Sequence, residues 1–169
     1  IRNTGQTAIF GRTSNSVISE NKIKDVALFD EIGIRGVGTG VAISVNGNDN
    51  VLKWNEISNI GYSGISFMGE RTLLEYNYID SVCNTITDGG GIYTYTGQDI
   101  SKPGSSGSII RNNIVVNCLG ELEEETGKYS CNGIYLDEGT RDVTVKHNTI
   151  AHIGYAAIFL NITSNNKIE

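Results

Sequence analysis

The chain holds one proline, three cysteines, one methionine and two histidines in 169 residues. A lone proline among 21 glycines reads as one domain spanning residues 1–169 rather than two. The cysteines form no CxxC pair, which argues against a zinc-type metal site. A Cys118–Cys131 disulfide is an open alternative that spacing alone does not decide. Basic residues are outnumbered 13 to 19 by acidic ones, for a net charge of −6. That balance argues against a nucleic-acid partner, because phosphate binding needs clustered Lys and Arg. It also mildly disfavours a polyanionic glycan. No stretch reads as a signal peptide or membrane span, so no membrane partner is expected.

A helical period is missing too, which excludes leucine-rich and ankyrin arrays. In its place one phrase returns five times: apolar-x-x-Asn-x-apolar-x-x-apolar, a variable gap, then small-Ile-x-apolar. Its asparagines are Asn21, Asn55, Asn77, Asn113 and Asn148, separated by 22 residues once and by 34 to 36 elsewhere. Three residues before each stands Ile18, Leu52, Leu74, Ile110 or Val145, and two after it Ile23, Ile57, Ile79, Val115 or Ile150. The phrase closes on Ile43, Ile65, Ile92, Ile134 or Ile158. Apolar and polar residues alternate over short runs rich in β-branched side chains, which is a strand signal. The short interval fits one turn of a parallel β-helix, three strands joined by bends. Such turns stack roughly 4.8 Å apart and share one core. The repeated Asn suits a bend, since its side chain tolerates left-handed backbone angles, and stacked copies would form a hydrogen-bonded ladder.

These features resemble the right-handed parallel β-helix, or pectin-lyase-like, superfamily, over nearly the whole chain from Ala8-Ile9-Phe10 to Lys167-Ile168. The resemblance implies an all-β solenoid of about six turns. Its ladder would lie between second and third strands, and the Gly-Ile segments would be first strands, the face on which such enzymes usually bind glycans. No cap is visible at Ile1, and the chain stops mid-phrase, so a segment of a longer solenoid is expected.

Insertions favour two of the three bends. From third-strand end to first-strand Ile the gap is 5 residues in two phrases but 17, 10 and 16 in the others. From that Ile to the next second strand it is 9 twice, then 18 and 11. The extra chain therefore flanks the first strands as walls flank a groove, and solenoids place insertions on their working face. With the Ile inward, one outward column reads Ser44, Ser66, Tyr93, Tyr135, Phe159. A second reads Asn46, Met68, Tyr95, Asp137, Asn161. Exposed stacked aromatics with polar neighbours suit sugar rings, making Tyr93, Tyr95, Tyr135, Phe159 and Asn161 candidate substrate contacts. Aromatics also favour strands for stability alone.

Two acidic motifs flank the tyrosines: Asp88-Gly89-Gly90-Gly91-Ile92-Tyr93 and Gly133-Ile134-Tyr135-Leu136-Asp137-Glu138. Three glycines in a row permit backbone angles closed to other residues and a close ligand approach. These motifs look like those of β-helical glycoside hydrolases. The resemblance implies Asp88 and Asp137 as the catalytic pair, with Glu138 substituting for the second. Glycoside hydrolysis needs one carboxylic acid to protonate the leaving oxygen and one carboxylate as nucleophile or base. A straight strand, however, would hold Asp88 and Asp137 roughly 20 Å apart. Either the glycines bend Asp88 over the groove, or Asp137 works with Glu138, Glu70 or Asp99.

Arg111, Lys146, His147 and His152 fall off the groove and read as solvated surface. Glu121, Glu123, Glu124 and Glu125 form a charged loop where Ca²⁺ is conceivable; otherwise no cofactor is expected. Asn161-Ile162-Thr163 is a glycosylation acceptor pattern. The leading expectation is a secreted, periplasmic or cell-surface enzyme hydrolysing an oligo- or polysaccharide. One alternative is a polysaccharide lyase, disfavoured because the outward columns hold no Lys or Arg. The other is a non-catalytic, glycan-binding or tailspike-like β-helix.

Overall fold

The computed structural model describes residues 1–29, 39–97, 104–120, 122–123 and 127–169. The described chain contains three six-stranded sheets, and every pairing within them is parallel. First strands are Ile9–Arg12, Ile43–Asn46, Ile65–Met68, Gly90–Thr94, Asn132–Leu136 and Ile158–Leu160. Second strands run from Val17–Ser19 through Val51–Lys53, Leu73–Glu75, Ile109–Arg111 and Thr144–Lys146 to Lys167–Ile168. Third strands run from Arg2–Thr4 through Lys22–Val26, Glu56–Ile60, Tyr78–Asp80 and Ile114–Cys118 to Thr149–Ile153. Each strand pairs with its counterparts one turn away, so the chain winds as a parallel β-helix of about six rungs. A two-stranded antiparallel pair, Leu122–Glu123 with Lys128–Tyr129, lies in the insertion between Cys118 and Ile134.

The inward residues of the repeat build the core. Ile23, Ile57, Ile79, Leu52, Leu74, Ile43, Ile65, Ile92 and Ile134 are fully buried, each contributing roughly 1.5–3 kcal/mol of transfer free energy. Alternation of period two decides this: an Ile turned inward forces the next side chain outward. At the first and last rungs Ile9, Ile18, Ile150, Ile153 and Ile158 are only partly buried.

The asparagine ladder forms in full. Asn21 Nδ2 donates to Asn55 Oδ1, Asn55 to Asn77, Asn77 to Asn113 and Asn113 to Asn148, each at 2.9 Å. The backbone N–H of each donor asparagine reaches the same oxygen at 2.9–3.2 Å. The left-handed backbone angle expected of the asparagines falls instead on the residue before each. Glu20, Trp54, Tyr76, Asn112 and His147 carry φ of 54–57°. That bend turns the asparagine into the stack, where its amide meets its neighbours.

Cys118 is fully buried and pairs in register with Ile153 of the next third strand. All three cysteines are free thiols. Cys131 lies against Cys83, with 2.8 Å between the sulfurs.

Candidate functional site

Two neighbouring first strands carry the site. Tyr93 and Tyr135 are direct partners in the parallel register, and Tyr135 is in turn the partner of Phe159. Their rings follow suit, with centroids 5.2 Å apart for Tyr93 and Tyr135 and 4.8 Å for Tyr135 and Phe159. Tyr62 extends the row at one side, 6.2 Å from Tyr93, and Tyr155 meets Phe159 edge-on at 5.4 Å. The exposure expected of the two central tyrosines is corrected. Tyr93 is 2% and Tyr135 3% exposed, because neighbouring rings pack on both and the Tyr93 hydroxyl is bonded to Asp137. Phe159, Tyr95 and Asn161 remain half-buried, and Tyr155 is exposed.

The straight path that would part the two aspartates is not taken. Asp88 adopts a left-handed φ of 59°, so the chain turns just before the strand Gly90–Thr94. Tyr62 donates its hydroxyl to the Asp88 carbonyl at 2.9 Å, and the Asn132 N–H donates to the Gly89 carbonyl at 3.0 Å. These bonds hold the turn back over the sheet. Asp88 then feels the charges of both Asp137 and Glu138. Loss of water around its carboxyl comes first and the charge of Asp137 second; together they raise its pKa above 3.8, while the Tyr135 hydroxyl pulls the other way. Tyr135 itself is pushed up by burial, then by the charges of Asp88 and Asp137.

The glycines after Asp88 serve packing, not unusual backbone angles. A Cβ on Gly91 would run into the Val115 side chain, and one on Gly89 would come within 2.6 Å of the Tyr62 ring and 3.0 Å of Cys83 Sγ.

Asp137 sits differently. It is 6% exposed and faces three donors. The Tyr93 hydroxyl reaches Oδ2 at 2.8 Å, while Asn161 Nδ2 and the Glu138 N–H both reach Oδ1 at 2.8 Å. Three donors complement the acceptor-only oxygens of an ionised carboxylate. Asn161 is thereby occupied, and a glycan on its amide nitrogen would cost that bond.

The remaining expectations separate cleanly. Glu70 is taken up by Asn48 and Arg71 at 3.3 Å each. Arg111 pairs with Glu75 at 2.7 Å, and His152 is exposed against Asn117. Asp99 and the loop glutamates Glu121, Glu124 and Glu125 lie outside the described residues, as does the Ca²⁺ reading attached to that loop. Among the described residues no group of three His, Cys, Asp or Glu is arranged to hold a metal ion. The second outward column has one more member than expected, since Arg12 pairs with Asn46 in the first rung. It stands four rungs from Asp137, roughly 19 Å at the inter-strand spacing.

Beside Asp88 opens a cavity of about 280 Å³, lined by Thr87, Asp88, Tyr129, Ser130, Asn132, Tyr155 and Phe159. Asn132 is 2% exposed and donates Nδ2 to the Gly89 carbonyl at 3.1 Å. That bond fixes the amide orientation and leaves its buried Oδ1 without a partner, as it is at Ser130 Oγ. Tyr62, Tyr155 and Asn132 were missed in the sequence. The twin segments Ile60-Gly61-Tyr62 and Ile153-Gly154-Tyr155 mark both tyrosines at the same point of the repeat.

A family model described as "Right handed beta helix region" matches residues 1–169. The chain belongs to this family. The right-handed β-helix also shares 30% identity over 101 residues with a protein named redox-sensing transcriptional repressor Rex, from Syntrophobacter fumaroxidans (strain DSM 10017 / MPOB). The alignment covers 60% of this chain and 43% of that relative. No solved structure matches the chain at a significant level.

Proposed function

We propose that this β-helix hydrolyses glycosidic bonds in a neutral oligo- or polysaccharide, outside the cell or at its surface. The observation that carries the reading is the convergence of Asp88 and Asp137 on Tyr135 in unlike environments. A carboxyl kept protonated to higher pH suits the acid that protonates the leaving oxygen. A carboxylate ringed by donors suits the nucleophile or base. In this assignment Asp88 is the acid, Asp137 the base or nucleophile, and Tyr93, Tyr135 and Asn161 position Asp137. Glu138 adds negative charge near Asp88. Small-molecule pockets commonly hold about 300–1,000 Å³, so the cavity beside Asp88 suits a single sugar ring. Phe159 and Tyr155 offer it apolar faces. These two rings, with half-buried Tyr95, take over the stacking role assigned from sequence to Tyr93 and Tyr135.

One observation favours a second reading, a non-catalytic glycan-binding β-helix: Asp137 is nearly covered and its oxygens are already hydrogen-bonded. A lyase draws less support, since Arg12 stands four rungs away from the carboxylates. The repressor named among the relatives covers too little of either chain to transfer its role, and a net charge of −6 does not favour DNA.

The test compares wild type with Asp88→Asn and Asp137→Asn on aryl glycosides and neutral polysaccharides, with circular dichroism as the folding control. Asn tolerates the left-handed angle at position 88, so that variant isolates the carboxyl. Loss of general-acid catalysis lowers kcat by about 10²–10⁴-fold. Unchanged turnover in folded Asp88→Asn refutes the assignment. Saturable binding with no turnover on any substrate establishes the second reading.

A further inference from the structure

Three thiols from distant points in the sequence meet directly beneath the Asp88 turn. Cys83 follows the third strand Tyr78–Asp80, Cys118 ends the strand Ile114–Cys118, and Cys131 immediately precedes Asn132–Leu136. All three are fully buried. Cys131 Sγ lies 2.8 Å from Cys83 Sγ, leaving no room for any atom between the two sulfurs. Backbone bonds fix both residues: the Cys83 N–H donates to the Tyr62 carbonyl at 2.7 Å, and that of Cys131 to the Leu119 carbonyl at 3.3 Å. The pair therefore joins segments 48 positions apart.

We infer that Cys83 and Cys131 are a redox staple, closing to a disulfide that ties the Asp88 turn to the insertion ahead of Asn132. The oxidant is a small-molecule disulfide such as oxidised glutathione. The thiolate of one cysteine attacks it, forming a mixed disulfide and releasing one small thiolate. The second cysteine's thiolate attacks the protein sulfur of that mixed disulfide, forming the Cys83–Cys131 bond and expelling the second small thiolate. The two protons leave with the two small thiols.

Burial sets when this happens. Burial holds the Cys131 thiol protonated to higher pH, and a bond to Cys131 followed by burial does the same for Cys118. Thiolates are the attacking species, so exchange is slow in the closed fold and proceeds as the turns come together. Once made, the bond is shielded from reductants by the same burial. Its position gives it a consequence at the site. A Cβ on Gly89 would come within 3.0 Å of Cys83 Sγ, and the Gly89 carbonyl is gripped by the N–H and the amide of Asn132, next to Cys131. Closing the staple therefore stiffens the turn that carries Asp88.

The full chain is folded in a glutathione redox buffer, alkylated under denaturing conditions, cut with trypsin and mapped without reduction. Cleavage at Arg111 and Lys128 separates the three cysteines. The expected map contains one Cys83–Cys131 linked pair and a singly alkylated Cys118. The oxidised protein melts higher than the reduced one by on the order of 10 °C. Hydrogen exchange at the amides of residues 83–91 slows on oxidation. Cys118→Ser keeps the link, and Cys83→Ser loses both the link and the melting increment. Three alkylated thiols, or a Cys118–Cys131 pair, overturn the inference. Because the mapping uses the wild-type chain, a variant that fails to fold does not obscure the result.

Discussion

Asp88 joins two demands that few residues meet together. Its backbone sits at φ 59°, a region that Asp and Asn enter at little strain among non-glycine residues. Its carboxyl must also lie near a second acid. Ionising it in the folded chain is disfavoured first by lost water and then by Asp137, so its folded pKa is raised above 3.8. The consequence for stability has a definite sign. Below 3.8 the carboxyl is protonated in both folded and unfolded chains, and its contribution to stability is fully present. As pH climbs through the raised folded value, the unfolded chain ionises freely and the folded one does not, so that contribution is lost. Asp88→Asn removes the titration while keeping the turn. The variant's melting temperature should therefore rise relative to wild type between pH 3 and pH 7. Asp88 is exposed, so the gain is small, about 1–2 °C. A difference that stays constant or shrinks with rising pH contradicts the raised pKa, whatever the outcome of activity assays.

At the scale of strands and bends, the asparagine ladder is the device that sets rung against rung. Asn77 donates to the Leu52 carbonyl and to Asn113 Oδ1, and its own Oδ1 accepts from the N–H and the amide of Asn55. Truncating it takes that partner from buried donors on Asn55 and from the Leu52 carbonyl, and leaves Asn113 Oδ1 with only the Asn77 backbone N–H. Asn77→Ala should lower stability by about 3 kcal/mol, and Asn21→Ala, half-buried at the ladder's end, by about 1 kcal/mol. Urea unfolding of the two variants measures this. Equal losses would mean the ladder contributes no more than a bend residue does. The ladder was legible in the sequence, and so was the register that makes Tyr93 and Tyr135 neighbours, because both follow from a period that repeats. Three features were not legible: the fold of the Asp88 turn onto Asp137, the burial of both tyrosines, and the left-handed angle one residue before each asparagine. The first two depend on turns of unequal length, where no repeat constrains the path. The third depends on which residue absorbs the bend, and Glu20, Trp54, Tyr76 and His147 carry no composition signal for it. Tyr62 and Tyr155 stand in a repeated Ile-Gly-Tyr that runs past the ends of the third strands, outside the apolar alternation that marks the strands.

Viewed along its axis, the molecule is a stack in which each rung touches only its neighbours, so stability approximates a sum of rung and interface terms. Burial differs between the core and the turns. Ile57, Ile79, Val115 and Ile134 are fully buried, whereas Tyr155, in the turn beside the cavity, is 61% exposed. The carboxylate Asp137 follows the strand built on Ile134, while Tyr155 stands outside the strands. An exposed turn opens locally at lower free energy than the core beneath it. It can therefore rearrange around a sugar ring without loosening the aspartates. Native-state hydrogen exchange should find protection greatest at the amides of Ile57, Ile79 and Val115. At Tyr155 protection should be at least about tenfold lower, a difference of roughly 1.4 kcal/mol. Equal protection at all four amides would instead mean that the stack opens as one cooperative unit, and the site would then have no independently mobile wall.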